Sequence, residues 1–210
     1  MKKLIQKIKN PIQKYLTDLM FNRYLLNLKS GGIAIDCGAN VGDISLKLAK
    51  TGVSVYAFEP NPYAYKTLAK RLKEYPNVTC IQKGVWDKNT ISNLFFHNQS
   101  SGDEEFWSFG SSIIAEKKNV DKGRFVEVEI IDLTEFIEKI EGKIDLLKID
   151  IEGAECELLE KFIKKELYKK VNITLVETHD RKIENLKDKT NNIKRLIKEK
   201  KIRNINLSWL

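Results

Sequence analysis

The 210-residue sequence predicts an α/β protein with a mostly parallel sheet and helices on both of its faces. Short apolar runs alternate with segments of helical periodicity, at the spacing of strand–helix–strand units. The length suits a domain with a sizeable core. In addition, the acidic residues Asp36, Glu59, Asp150 and Glu177 end four predicted strands. Because ligands of such sheets bind beyond the carboxyl ends of the strands, these acids are the first candidates for a site.

Apolar runs predict the strands in order along the chain. They are Ile33–Cys37, Ser54–Phe58, Val78–Gln82, Ile144–Ile149 and Ile173–Glu177, with Ile205–Leu210 as a closing strand-like alternation. Helical spacing predicts the helices, with Asn61 as a cap before Pro62. They are Asp43–Lys50, Pro62–Glu74, Thr134–Ile140, Ala154–Leu167 and Lys182–Lys200.

Two regions fall outside this alternation. Residues 1–30 are predicted to form an N-terminal helical extension, because apolar residues recur there at helical spacing with an interruption at Pro11. Residues 31–210 then form the main domain. Residues 88–131 fit the strand–helix rhythm poorly, and Asn98–Ser112 is predicted to be an insertion or hairpin at the edge of the site. We expect the extension and the insertion to shape the substrate pocket.

Charge and composition limit the partners. The net charge of +8 is concentrated near the two ends of the chain, and a basic patch can attract nucleic acid or an anionic membrane. Charged helix faces usually face water, and aromatic residues are not interleaved with these charges, so a nucleic-acid partner is not favoured. No apolar run approaches the roughly 20 residues of a membrane span, and the N-terminus does not read as a signal peptide. We expect a cytoplasmic protein with reduced Cys37, Cys80 and Cys156.

The strongest motif, AIDCGANVGD, follows the first predicted strand and opens a helix. Gly38 permits a tight turn, and Gly42 lets the helix begin close to the strand. The GxxxG spacing differs from the GxGxxG of dinucleotide-binding loops, and Asp36 would repel a phosphate. An acid here suits the positively charged amino group of a methionine moiety. A bulky side chain at Gly38 is expected to abolish cofactor binding and to leave the fold intact.

Two further motifs strengthen this hypothesis. A carboxylate at Glu59, at the end of the second strand, can accept hydrogen bonds from both hydroxyls of an adenosine ribose. In the segment DLLKIDIEGAE, Lys148 and Asp150 share one face of the fourth strand. Charges at the end of an apolar strand are costly to bury unless they are paired. Such a cluster marks either an active site or a structural ion pair.

Together these segments resemble the FkbM-type methyltransferase family. The resemblance rests on IDCGANVGD, FEPNP, VEIIDLTEF, KIDIEGAE and LVETHD, and runs from about Ile33 to Asp180. It implies a Rossmann-like class I methyltransferase fold, S-adenosylmethionine as the methyl donor, and O-methylation of a hydroxyl on a sugar, glycan or small metabolite such as a polyketide. The antiparallel seventh strand typical of that fold is expected to be absent or rearranged, because the chain ends soon after Ile205–Leu210.

The resemblance also implies roles for individual residues. For the cofactor, it assigns Asp36, Gly38, Ala39, Asn40 and Gly42 to the first loop, Glu59 to the ribose, and Val85 or Trp86 to the adenine ring. For methyl transfer, it assigns Lys148, Asp150, Glu152 and Gly153 to the reacting edge, with Glu177 and His179 across from it.

A hydroxyl nucleophile needs a general base. Asp150 or Glu152 is the predicted base, Lys148 is expected to tune their charge, and His179 is the next candidate. No metal is assigned. A divalent ion shared by Asp150 and Glu177 stays open as an alternative.

Other functions remain as alternatives. The basic ends leave room for an RNA ribose methyltransferase, and the glycine turn could belong to a non-catalytic Rossmann-like binding module. A nicotinamide-dependent oxidoreductase is disfavoured by Asn40, which replaces the central glycine of the dinucleotide loop. Neither the (D/N)PP(Y/F) segment typical of amine methylation nor the Pro-Cys of cytosine C5 methylation follows the fourth strand.

Overall fold

A computed structural model describes residues 19–98, 111–114, 117, 120–180, 183 and 186–207. Its strands are β1 (Ile33–Cys37), β2 (Ser54–Phe58), β3 (Val78–Ile81), β4 (Gly84–Trp86), β5 (Thr90–His97), β6 (Val120–Asp132), β7 (Ile144–Ile149), β8 (Val171–Val176) and β9 (Ile205–Asn206). Its helices are α1 (Asp43–Ala49), α2 (Pro62–Leu72), α3 (Leu133–Lys139), α4 (Glu155–Lys164) and α5 (Leu186–Glu199), with a 3₁₀ turn at Leu167–Lys170.

The main sheet has six parallel strands in the order β3-β2-β1-β7-β8-β9. This arrangement confirms the predicted α/β class. The strand order reverses between β1 and β7, which is the point where such sheets bind ligands. Cys37 of β1 is in register with Phe58 of β2 and with Ile149 of β7. The residues that follow these strands, Glu59 and Asp150 among them, therefore meet at one edge.

The core lies on both faces of this sheet, as expected for parallel strands. Side chains of β1 and β7 alternate between the faces. Ile35 and Leu147 belong to the cluster that contains Phe162 of α4. Ala34 belongs to the opposite cluster, where Phe21 is fully buried. Helical residues thus cover the sheet from both sides.

Helix boundaries follow local backbone signals. Asn61 caps α2 as predicted, because its side chain accepts a hydrogen bond from the Tyr63 N–H and Pro62 occupies the first turn. The helix predicted over Ala154–Leu167 is divided. Glu166 adopts the left-handed conformation, with φ of 57°, and separates α4 from the 3₁₀ turn. The next strand begins at Val171, two residues earlier than predicted.

A second sheet, in the order β4-β6-β5, accounts for much of the region that did not fit the strand–helix rhythm. β5 and β6 pair antiparallel, and β4 pairs parallel with β6. Ser112 forms a bridge with Phe95 of β5. Most of the predicted insertion at Asn98–Ser112 lies outside the described residues, but it begins directly after β5 and its last residue, Ser112, bridges back to that strand.

The two ends of the chain are only partly described. Residues 1–18 of the predicted extension lie outside the described part, and residues 19–25 are helical. At the other end, β9 runs parallel to β8, and the main sheet contains no antiparallel strand among the residues described up to 207. Within the described ranges, no helix combines the length and apolar character that crossing a membrane requires.

Candidate functional site

A cavity of about 290 Å³ opens at the edge where β1, β2 and β7 end. Its charged and polar wall comes from Asn40, Glu59, Lys83, Ser111, Ser112, Asp150, Glu152 and Glu177. Its apolar wall includes Phe58, Val85, Leu94, Ile113, Ile130 and Ile151. The second sheet therefore closes one side of a site whose acids come from the main sheet. A largely apolar cavity with a few convergent polar groups is typical of a ligand site.

Glu59 is held rigidly at this edge. Its Oε2 accepts a hydrogen bond of 2.8 Å from the Asn40 N–H, and its Oε1 accepts one of 2.8 Å from the Asn61 N–H. Burial raises the pKa of Glu59 to about 7, against the lowering effect of these two backbone hydrogen bonds. Each carboxylate oxygen keeps a second lone pair for a ligand. The structure thus places Glu59 and Asn40 together, as the sequence predicted for a cofactor-binding edge.

Gly38 joins the first loop to the segment that follows β7. It has φ of 75°, and a Cβ atom at this position would lie 1.8 Å from the backbone carbonyl oxygen of Asp150. The glycine is therefore required for the close approach of two backbone segments. The expectation that a bulky side chain here leaves the fold intact is wrong, because the clash is with the protein itself.

Asp36 is fully buried and does not line the cavity. In the sheet it is in register with Lys148, whose Nζ lies 3.1 Å from Asp36 Oδ1, and the Ser45 hydroxyl donates to Oδ2 at 2.6 Å. The predicted contact of Asp36 with a ligand amino group is corrected accordingly. The strand register turns its carboxylate toward a lysine of the neighbouring strand.

Lys148 connects the two halves of the site. Its Nζ donates hydrogen bonds to the carbonyls of Cys37 and Gly38, at 3.2 and 2.7 Å, and lies 3.5 Å from Asp150 Oδ2. Burial acts to lower the pKa of Lys148, but the carboxylates of Asp36 and Asp150 raise it overall. Lys148 is therefore a buried cation that holds the first loop and faces Asp150, and it is not part of the cavity wall.

Three other predicted cofactor residues lie behind the wall. The Ala39 N–H donates to the Phe58 carbonyl, and Gly42 caps α1 in the left-handed conformation, with φ of 90°. Trp86 packs in the second sheet, where Lys88 Nζ lies 4.5 Å from its ring centroid. Of the two residues expected near an adenine ring, the structure places Val85 on the cavity wall.

His179 lies at the centre of the acidic half of the site. Its ring is fully buried, and its Nδ1 lies 2.8 Å from Glu155 Oε1. Its Nε2 faces three more carboxylates, at 3.1 Å from Glu152, 3.5 Å from Glu177 and 3.9 Å from Asp150. The predicted residues Asp150, Glu152 and His179 are thus brought together. We call this group, with Glu155 and Glu177, the acidic cluster.

Burial and the neighbouring charges shift the pKa values of residues in the acidic cluster. Burial lowers the pKa of His179, but the carboxylates of Glu152 and Glu155 outweigh this effect and raise it to about 10. Burial raises the pKa of Asp150 to about 7 despite the opposing charge of Lys148. Burial also works against the charge of Glu152, yet His179 and Lys117 lower its pKa to about 2. A protonated His179 cannot accept a proton, which argues against its predicted role as the next candidate base.

Sequence reasoning missed Glu155 of this cluster and Lys117, which contacts the cluster. Glu155 is buried at the start of α4 and also accepts hydrogen bonds from the N–H groups of Ile151 and Gly153. Its position in KIDIEGAE, as an acid in the first turn of a helix, was an available signal. Lys117 Nζ lies 2.6 Å from Glu152 Oε2, and its segment has no periodicity that could have indicated this contact.

The sequence model of the Methyltransferase FkbM domain matches residues 36–203 of the chain. The chain belongs to the FkbM methyltransferase family. This result confirms the resemblance seen in the sequence motifs. The matched range contains β1 from Asp36 onward and continues to the end of α5, so the FkbM domain includes both halves of the cavity.

Curated relatives of this FkbM domain include other methyltransferases. Methyltransferase sdnD of Sordaria araneosa is 29% identical over 179 residues, covering 73% of this chain and 69% of the relative. The 31-O-demethyl-FK506 methyltransferase FkbM of Streptomyces tacrolimicus is 26% identical over 170 residues, covering 70% of this chain and 65% of the relative. Methyltransferase 1 of Beauveria bassiana is matched over 56% of its length.

Solved structures with a similar fold include a Streptococcus mutans protein in complex with SAH. Its TM-score is 0.48 at 14% identity, and the match covers 85% of this chain and 80% of that one. A SAM-dependent O-methyltransferase of Thermotoga maritima has a TM-score of 0.42 at 13% identity, covering 87% and 48% of the two chains. At these identities the likeness concerns the fold alone.

Proposed function

We propose that this FkbM domain is an S-adenosylmethionine-dependent O-methyltransferase that acts on a hydroxyl of a sugar, glycan or small metabolite. The observation that carries the proposal is that one cavity joins the Glu59 carboxylate to the carboxylates of Asp150 and Glu152. The first is suited to a nucleoside, and the others are suited to proton transfer from an acceptor.

The cavity fits an adenosine joined to a positively charged tail. Glu59 offers acceptor oxygens for the ribose hydroxyls, while Val85, Leu94 and Ile130 supply an apolar wall for the adenine. The carboxylates of the acidic cluster lie at the other side, where a positive charge is favoured. A nicotinamide dinucleotide fits less well, since its two phosphates would face carboxylates.

S-adenosylmethionine, when bound, supplies a methyl carbon carried by a positively charged sulfur. Asn40, Glu59 and Val85 would hold this donor, whose methyl carbon would be transferred to the acceptor oxygen with the electron pair of the broken carbon–sulfur bond left on sulfur. The protein mainly holds the acceptor in line for this displacement. The hydroxyl proton passes to Asp150 or Glu152, both of which line the cavity, and the raised pKa of Asp150 favours it over Glu152. Lys148 positions this edge through its contacts with the Gly38 carbonyl and Asp150.

Two observations support a hydroxyl acceptor and a cytoplasmic location. The name of the Streptomyces tacrolimicus relative specifies methylation at an oxygen, which supports a hydroxyl acceptor here. The described cysteines are all free, with Cys37 and Cys156 buried, which supports action in the reducing environment of the cytoplasm.

The experiment is a methyl-transfer assay with isotopically labelled S-adenosylmethionine and separate pools of sugars, glycans, hydroxylated metabolites and RNA. We expect label on an oxygen of a sugar, glycan or metabolite, and its loss in the Asp150→Asn and Glu152→Gln double variant. Label on RNA alone would favour the ribose methyltransferase alternative. Binding of the cofactor product without label in any pool would favour the non-catalytic binding module.

A further inference from the structure

We infer that Asp150, Glu152 and His179 form a binding site for a divalent cation of the Mn²⁺ type at the edge of the cavity. The binding stands on the geometry of these side chains. Only the use of the ion, to activate the acceptor hydroxyl, rests on the proposed function.

The spacing of the three side chains suits one ion. Each contributes a donor atom, and these atoms all lie within 4.8 Å of one another. His179 Nε2 lies 3.1 Å from a Glu152 oxygen and 3.9 Å from an Asp150 oxygen. Neighbouring ligands of an octahedral ion with bonds of about 2.1 Å lie about 3 Å apart. A small inward movement of Asp150 would therefore complete three corners of such a site.

The environment of His179 provides an independent indication of a ligand. Glu155 holds Nδ1 at 2.8 Å and directs the opposite nitrogen toward the other carboxylates. Nε2 is buried 3.1 Å from Glu152 Oε2, and the geometric criteria for a hydrogen bond leave it without a partner among the described residues. A histidine that binds a metal through one nitrogen commonly donates its other N–H to a carboxylate.

Charge favours a cation at the same point. The carboxylates of Asp150, Glu152, Glu155 and Glu177 all face the His179 ring. Two lysines contact this group: Lys148, which it shares with the buried Asp36, and Lys117, which lies 2.6 Å from Glu152 Oε2. Asp150 Oδ1 is also buried without a hydrogen-bond partner among the described residues. A divalent ion that displaces the proton from Nε2 of His179 would be held there by the negative charge of these carboxylates.

The ligand types favour Mn²⁺ over other common metals. Carboxylate oxygens suit Mg²⁺, Ca²⁺ and Mn²⁺, whereas an imidazole nitrogen favours transition metals, so their combination selects an ion of intermediate character. This ligand set differs from the open alternative of Asp150 with Glu177, because it is the donor atoms of Asp150, Glu152 and His179 that all lie within 4.8 Å of one another. An acceptor hydroxyl bound to the ion would lose its proton more readily.

The test is a Mn²⁺ titration of the chelator-treated full chain, followed by electron paramagnetic resonance of the free ion, with no donor or acceptor present. We expect one Mn²⁺ per chain, and an affinity at least about tenfold weaker in Asp150→Asn and in Glu152→Gln. Glu59→Gln is the matched control, since it changes an acid of the same cavity outside the ligand set. We expect it to bind Mn²⁺ as the wild type does.

Two results would overturn the inference: no Mn²⁺ binding by the wild type, or unchanged binding in both ligand variants. Lys117→Met tests the site even if the ligand variants misfold. It removes a competing cation and leaves every ligand in place. We expect it to bind Mn²⁺ more tightly than the wild type, and weaker binding would count against the site. Since the titration contains neither donor nor acceptor, its failure and the failure of methyl transfer are separate results.

Discussion

The two halves of the cavity satisfy their charges in different ways. At the end of β2, both oxygens of Glu59 accept hydrogen bonds from backbone N–H groups. Beyond β7 and β8, the side chains of the acidic cluster meet from separate segments, and backbone N–H groups donate to Glu155. Three of its buried polar atoms, Asp150 Oδ1, Glu155 Oε2 and His179 Nε2, have no hydrogen-bond partner among the described residues.

This difference indicates that Glu59 serves to recognise the ligand and that the acidic cluster serves the reaction. A carboxylate fixed by the backbone keeps one orientation whether or not a ligand is present, which is suitable for selecting a nucleoside. A cluster with uncompensated charge is costly while it is empty and gains most when a cation or a proton arrives. We therefore expect changes near Glu59 to alter affinity and changes in the acidic cluster to alter turnover.

The largest effect is expected where the two halves touch. Gly38→Val should destabilise the fold by about 4 kcal/mol or more, because the new Cβ would overlap the Asp150 carbonyl oxygen. Urea unfolding measures this loss. Gly31→Ala is the control, since Gly31 also has a positive φ but its Cβ would meet nothing within 4 Å. Equal stability of the two variants would show that Gly38 is not required for the close approach of the first loop to the segment after β7.

Substitutions in the acidic cluster should reduce turnover next most strongly. Asp150→Asn or Glu152→Gln should lower kcat by about 10²–10⁴-fold, the usual contribution of a general base. The affinity for S-adenosylhomocysteine should change far less in the same proteins. Wild-type turnover in both single variants would show that neither carboxylate takes the hydroxyl proton.

Glu59 should show the opposite profile. Glu59→Gln should weaken S-adenosylhomocysteine binding by about 1.5–3 kcal/mol, since hydrogen bonds to a charged group are lost. The value of kcat at saturating donor should stay close to that of the wild type. Glu74→Gln, an exposed acid, is the matched control. A fall in kcat with unchanged affinity would reverse the roles assigned to the two halves.

The pH dependence of stability provides a smaller and independent test. Burial raises the pKa of Glu59 from 4.5 to about 7, so the folded chain holds this proton more tightly than the unfolded chain. Between these two values the free energy of unfolding therefore falls as the pH rises. Between about pH 5 and pH 8 this decline should be about 2 kcal/mol smaller in Glu59→Gln than in the wild type. Parallel curves from urea unfolding would contradict the raised pKa of the buried Glu59.

The main sheet was predictable because its signals are local. Apolar runs, the Asn61 cap and the acids at strand ends are all read within a few residues. The role of Asp36 depended on the register between β1 and β7, which pairs it with Lys148 from more than 100 residues away. Glu155 and Lys117 were missed for a similar reason, since only the folded chain brings them to His179 and Glu152.

The sequence predicted the second sheet only as a region that departs from the alternation of strands and helices. β6 alternates apolar and charged residues over Val126–Glu129, but the sequence does not show that it pairs with both β4 and β5. Those non-local pairings place Leu94 and Ile130 on the cavity wall. The shape of the nucleoside side of the site was therefore beyond local sequence reasoning.

The cavity should bind the donor of a methyltransferase. Calorimetric titration of the full chain with S-adenosylhomocysteine, with NAD as the control, measures this binding. We expect micromolar binding of S-adenosylhomocysteine with one molecule per chain, and no detectable binding of NAD. Binding of NAD in preference to S-adenosylhomocysteine would contradict the assignment of Glu59 and its neighbours to a methyl donor.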